Sequence, residues 1–112
     1  MADRLYLLNP DWFDDEGGPW FCPPGAMVEG VLSFYPQLAE KIEITYLNHP
    51  RPRAAVIAEV GEPNQSCPLL VLDGELDWPH AQTSAETGKR FLQDGDILPY
   101  LAERYGIGRP HP

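Results

Sequence analysis

The chain has 112 residues, which suits one domain with its own core. Its 17 acidic and 8 basic residues give a formal charge of −9, and such a surface repels phosphate backbones and anionic lipids, which argues against nucleic acid and membrane as partners. No basic, apolar leader opens the chain and no apolar run approaches the roughly 18 residues of a membrane span, so a soluble cytoplasmic protein is expected.

Leu5, Leu7 and Leu8 mark a short strand over 4–8, stopped by Asn9-Pro10. Residues 11–21 read as a long loop with four aromatic rings, Trp12, Phe13, Trp20 and Phe21, around three consecutive acids. Rings in such a loop are expected to cap the sheet edge. A helix follows, with Pro23 in its first turn, where a missing N–H costs nothing. Met27, Val28, Val31, Leu32 and Tyr35 share one face at helical spacing. Pro36 ends it or starts a further short turn through Ala39. Ile42, Ile44 and Tyr46 then alternate with Glu43, Thr45 and Leu47 as a strand does.

His49-Pro50-Arg51-Pro52-Arg53 is an extended basic link. Its arginines are expected to meet the protein's own acids or those of a partner. A second helix over 52–60 stops at Gly61, and its Ala-Ala-Val-Ile-Ala run suggests burial on most sides. Pro68 to Leu72 reads as a buried strand, with Asp73-Gly74 beginning its turn. Residues 75–88 read as an exposed polar insertion. A strand over 89–92 and a helix over 94–105, ended by Gly106, complete the chain. Asp94 suits the helix cap, although Pro99 would then fall at an interior position, so Gly95 and Asp96 are alternative caps. The order β-α-β-α-β-β-α requires a parallel pair joined by a helix crossover, then an antiparallel hairpin closed by a helix. The expected fold class is therefore α/β, with a mixed four-stranded sheet and helices on both faces.

Two cysteines do not make a disulfide scaffold, and both are expected as free thiols. Their placement sets them apart. Cys22 stands between Trp20-Phe21 and Pro23, at the start of a helix, where the dipole and the free N–H groups favour a thiolate. Cys67 stands before Pro68, at a strand entry. If the fold brings the two together, they could form a redox pair or share a soft metal; a disulfide needs Cα atoms roughly 4.4–6.8 Å apart. His49, His80 and His111 are scattered without metal-ligand spacing, so no metal site is expected from the histidines.

The run Gln93-Asp94-Gly95-Asp96-Ile97-Leu98-Pro99, followed by Tyr100-Leu101-Ala102-Glu103-Arg104-Tyr105-Gly106, resembles the end of a glutathione S-transferase N-terminal domain. The whole chain from Leu5 to Pro112 is similar to a small bacterial family of thioredoxin-like proteins without an assigned reaction. That likeness rests on the aromatic-Cys loop, Glu29-Gly30, Arg51-Pro52-Arg53, Asn64-Gln65-Ser66 and Pro110-His111-Pro112. The resemblance implies a thioredoxin-like fold in which Cys22 is the attacking thiol. It also implies a cis bond before Pro68, with Ser66 and Cys67 beside the site. Members often carry a second cysteine three residues after the first; Gly25 occupies that position here. A resolving thiol would then come from Cys67, from a protein partner or from a small thiol.

The expected site comprises Cys22 and Cys67 as the reactive pair and Trp20, Phe21, Pro23, Ser66, Pro68 and Asp94 as binding residues. No cofactor is expected. Glutathione is the small thiol the resemblance allows, but Asp94 puts an anion where the transferase pattern grips a carboxylate. The alternative is a non-catalytic binding module or homodimer using the aromatic loop.

Overall fold

The computed structural model describes residues 2–73 and 78–112. Strand β1 (Asp3–Leu8) is followed by a small hairpin, β2 (Trp12–Asp14) and β3 (Gly17–Trp20). Helix α1 (Pro23–Phe34), strand β4 (Ile42–Leu47) and helix α2 (Ala54–Val60) come next. Strands β5 (Leu69–Val71), β6 (Gln82–Thr83) and β7 (Arg90–Gln93) precede helix α3 (Ile97–Tyr105). The main sheet has five strands in the order β4-β1-β5-β7-β6. β1 runs parallel to β4, with Leu5 opposite Ile44, and antiparallel to β5, with Leu5 opposite Leu70. β7 runs antiparallel to β5 and β6.

Alternation along the strands sets the layers, because successive side chains point to opposite faces. Leu5 and Leu7 of β1, Leu70 of β5 and Leu92 of β7 face one core, with Val28 of α1 and Ile97, Tyr100 and Leu101 of α3. Tyr6, Leu69, Val71 and Phe91 face the other, with Val56 and Val60 of α2. Each fully buried Leu, Val or Phe contributes about 1.5–3 kcal/mol relative to exposure, so the two apolar faces together fix the register of the sheet. Among the described residues, no helix is long and apolar enough to cross a membrane.

Several details differ from the sequence expectations. The sheet has five strands, because Gln82 and Thr83 add an edge to β7. The aromatic loop is partly a hairpin, in which Trp12 pairs with Trp20. Gly18 there has φ +136°, and a Cβ on it would lie 2.6 Å from the Trp12 carbonyl, so the bend admits no larger residue. Only Trp12 of its rings packs closely, stacked on His49 with centroids 4.3 Å apart; Phe13, Trp20 and Phe21 are exposed rather than capping the sheet. Met27 lies outside the buried face of α1 and is 61% exposed. Helix α2 buries one face only, since Ala54, Ala55 and Ala58 are exposed. Pro99 is accommodated because Asp94–Asp96 forms a separate 3-10 turn and Asp96 caps α3, placing proline in the first turn. Of the polar insertion, Glu75, Leu76 and Asp77 lie outside the described residues, as does Gly74 of the turn before it.

Candidate functional site

Helix α1 begins beside the C-terminal ends of the parallel pair β1 and β4, and Cys22 is its N-cap residue, with extended backbone at φ −82° and ψ 114°. The Cys22 carbonyl accepts the Ala26 N–H at 2.9 Å, while its thiol makes no capping hydrogen bond. Pro23 and Pro24 remove two N–H donors from the first turn, leaving the Gly25 N–H as the main-chain donor nearest the cap that is not already used. Around the cap, side-chain charge therefore counts for more than backbone donors.

That charge comes from the basic link. Arg53 is only 6% exposed. Its guanidinium donates from Nε and Nη2 to the His49 carbonyl at 3.0 and 2.6 Å, and from Nη1 to the Gln65 carbonyl at 2.7 Å. Its main-chain N–H donates to Gln65 Oε1 at 2.7 Å. These partners of Arg53 are neutral oxygens rather than the protein's own acids, which were one of the two kinds of partner expected for the basic link. Burial pushes the Arg53 pKa down, and the nearby Cys67 and Cys22 act against that fall. Burial pushes the Cys67 thiol up, with Arg53 pulling it back. The guanidinium is thus a buried positive charge, held by carbonyls, in a residue that lines one cavity with both cysteines.

Cys67 and Pro68 are joined by a cis peptide bond. The Cys22 thiol lies 3.7 Å from the Cys67 carbonyl oxygen, and the Cys67 thiol lies 4.0 Å from the Gln65 carbonyl. Both thiols are free; Cys22 is half-buried and Cys67 is buried. Gln93, at the end of β7, donates from Nε2 to the carbonyls of Asn64 and Ser66 at 3.2 and 3.1 Å, which fixes the loop before Cys67. Asp94 follows at φ +50°, with its N–H 3.3 Å from the Pro68 carbonyl.

Two cavities meet at the thiol. One, of about 280 Å³, brings together Phe21, Cys22, Pro23, Ser66, Cys67 and Asp94, all anticipated from sequence. Trp12, His49, Arg51 and Arg53 also line it and were missed as site residues. The other, of about 460 Å³, runs from Cys22 past Gly25 between α1 and the ends of β1 and β4. Leu7, Leu8, Pro10, Phe21 and Ala26 give it an apolar wall, and Glu29, which accepts the Tyr46 hydroxyl hydrogen bond, lies on its α1 side. Trp20 lines neither cavity; its Nε1 donates to Asp14 Oδ1 at 3.0 Å within the hairpin. Pro68 is buried behind the site. The signal for the missed arginines was the His-Pro-Arg-Pro-Arg run, but its burial against Gln65 is a long-range contact that the sequence does not announce. Among the described residues, no group of three His, Cys, Asp or Glu side chains is arranged to hold a metal ion.

These features define a mixed α/β protein with a half-exposed thiol at a helix start, next to a buried cation and a second, buried thiol. The chain belongs to the family described as protein of unknown function (DUF3088), whose model matches residues 2–109. No curated protein and no solved structure matches it.

Proposed function

We propose that this protein carries out thiol–disulfide exchange, or captures thiols, through Cys22 on a thioredoxin-like scaffold. The observation that carries the reading is the placement of Cys22 at the start of α1, 3.7 Å from the carbonyl of the cis Cys67–Pro68 pair, with buried Arg53 lining the same cavity as both cysteines. The strand order supports the scaffold: a parallel β1-α1-β4 unit, then β5 and β7 antiparallel, then a closing helix. In the reaction, the Cys22 thiolate attacks one sulfur of a disulfide. A Cys22 mixed disulfide forms, the original S–S bond breaks, and the second sulfur leaves as a thiolate. A further thiol then attacks the mixed disulfide, releases Cys22 and is itself oxidised. Cys67 is the poorer candidate for that second thiol, because burial favours its neutral form. A small external thiol or a protein thiol suits the open side of the site better.

The test is stopped-flow exchange with a small aromatic disulfide at neutral pH. Native protein should react about tenfold faster than an unfolded peptide carrying the same cysteine, given the usual response of thiols to a cationic helix start. Cys22→Ser should abolish the fast phase and Cys67→Ser should retain it. A native rate no faster than the peptide sinks the reading.

A second reading rests on the exposed apolar side chains Phe13, Phe21, Met27 and Phe34, each more than 60% exposed. On that reading the scaffold binds a second copy of the chain through some of these side chains and does no chemistry. Sedimentation of the native protein and of Phe21→Ser tests it: a dimer lost in the variant supports it, and a monomer at all concentrations removes it.

A further inference from the structure

Cys22 stands at the junction of two cavities of opposite character. Leu8, Phe21 and Cys22 line both. On one side lie Arg51 and Arg53, two cations that outnumber the Asp94 carboxylate lining the same cavity, in a chain of formal charge −9. On the other side lies the apolar wall of Leu7, Leu8, Pro10 and Ala26, with Asn9, Glu29 and Tyr46 as the polar part of the lining. Gly25 keeps the second side open at the sulfur. A Cβ built on Gly25 lies 3.5 Å from both the Cβ and the sulfur of Cys22, and among the described residues no side chain other than Cys22 comes within 4 Å of it. A side chain at this position would therefore occupy the mouth of the apolar cavity next to the nucleophile.

We propose that the substrate of Cys22 is an asymmetric disulfide, with an apolar group that enters the cavity beside Gly25 and an anionic group that faces Arg51 and Arg53. This rests on the exchange reading given above and adds the class of molecule exchanged. The Cys22 thiolate attacks the sulfur that bears the apolar group, forming Cys22–S–S–R. The S–S bond to the anionic half breaks, and that half leaves with the electron pair as a thiolate. Cys22 is oxidised to the mixed-disulfide level and the departing sulfur is reduced. The cationic side lowers the energy of the departing anion, and the apolar side removes the other arm from water.

Alkyl and charged methanethiosulfonates test this directly, since each transfers its S–R group to a thiolate and releases methanesulfinate. Rates are followed on native protein, and peptide mapping by mass spectrometry counts only the adduct on Cys22. From methyl to butyl reagent the rate should rise about tenfold, because full burial of each added methylene favours binding about fourfold and burial here is partial. Relative to the same two reagents on an unfolded peptide carrying the cysteine, which corrects for the attraction of any thiolate to a cation, the ratio of the anionic sulfonatoethyl rate to the cationic trimethylammonioethyl rate should be higher on native protein, against the net charge of the chain, because the charged arm senses Arg51 and Arg53 beside the sulfur. Gly25→Leu and, independently, Ala26→Phe should remove the chain-length gain while the methyl reagent still reacts. Arg51→Gln, at an exposed position, should reduce or reverse the charge preference. Failure of the methyl reagent to label Cys22 overturns the exchange reading itself. Normal methyl labelling with no rise along the alkyl series, or an anionic-to-cationic rate ratio no higher than on the unfolded peptide, overturns the substrate class and leaves the exchange reading standing.

Discussion

At the scale of single residues, Gly25 decides what kind of thiol site this is. A cysteine three positions after the first would sit on the next turn of α1, against the Cys22 side chain. The Cβ built on Gly25 is 3.5 Å from the Cys22 Cβ, at the short end of the 3.5–4.5 Å that disulfides span. Gly25→Cys should therefore form an intrachain disulfide with Cys22 on mild oxidation with diamide. The expected result is loss of two titratable thiols and a mass decrease of about 2 Da per bond formed, as follows from removing two hydrogens on S–S formation. If both thiols stay titratable after oxidation, the start of α1 does not have the geometry described. The chain alone showed only that each cysteine adjoins a proline at an element boundary; that the two lie near each other was an implication of the thioredoxin-like resemblance. Arg53 was not legible in the same way. Its partners are the carbonyls of His49 and Gln65, and nothing in a run of basic residues says that one of them will be buried on neutral oxygens.

At the scale of elements, a buried carboxylate fastens the two ends of the chain. Asp3 of β1, 1% exposed, accepts hydrogen bonds from the Tyr100 and Tyr105 hydroxyls of α3 at 2.6 and 2.8 Å, and from the Asp73 N–H beyond β5 at 2.7 Å. Burial, and then the bond to Asp3, pushes the Tyr105 hydroxyl up to about 12, so the tyrosine remains a donor throughout the physiological range. Asp3→Ala leaves three buried or half-buried donors without this acceptor and should cost about 2–4 kcal/mol in urea unfolding, whereas Tyr105→Phe should cost about 1 kcal/mol. The double variant should cost less than the sum, because the tyrosine bond is already gone once Asp3 is removed. Additive losses would mean that the two groups do not act on each other. The longer elements were readable from period alone: the alternation in β4, and the apolar faces of α1 and α3 apart from Met27. The hairpin β2–β3 and the edge strand β6 escaped because they are two to four residues long and carry almost no periodic signal. The first turn of α3 was displaced by the local geometry of Asp94, whose positive φ breaks the helix pattern before Asp96 restarts it.

At the scale of the whole molecule, a chain with this excess of acid depends on where its few cations are spent. Arg53 is spent on the site. Arg4 and Lys89 are spent on Glu59, which lies on the buried face of α2 at 7% exposure. Arg4 donates to it through Nε at 2.5 Å and Nη2 at 2.9 Å, Lys89 through Nζ at 2.7 Å, and the Tyr6 hydroxyl at 2.9 Å. Burial alone would raise the carboxyl pKa, but the bonds from Arg4, Lys89 and Tyr6 outweigh it and hold the group at about 2, below its ordinary 4.5. A folded value below the unfolded one means that the folded state is favoured whenever the carboxyl is ionised. The contribution is therefore fully present above about pH 4.5, and it is lost as pH falls toward about 2, where the folded carboxyl takes up its proton. The size is at most about 3 kcal/mol, and nearer 2 kcal/mol once water screens the half-exposed Lys89. Glu59→Gln should lose that amount at pH 7 and become less sensitive to acid between pH 4.5 and 2, so the melting curves of native protein and variant should converge as the pH drops. Parallel curves, with the same loss at pH 7 and at pH 2.5, would assign the effect of Glu59 to packing rather than to charge. The same experiment bears on the site, because α2 follows directly from Arg53. If Glu59→Gln loosens α2 against the sheet, Arg53 loses its fixed place beside the two sulfurs, and the exchange rate at Cys22 should fall in the variant at pH 7 while the reactivity of the unfolded chain stays the same.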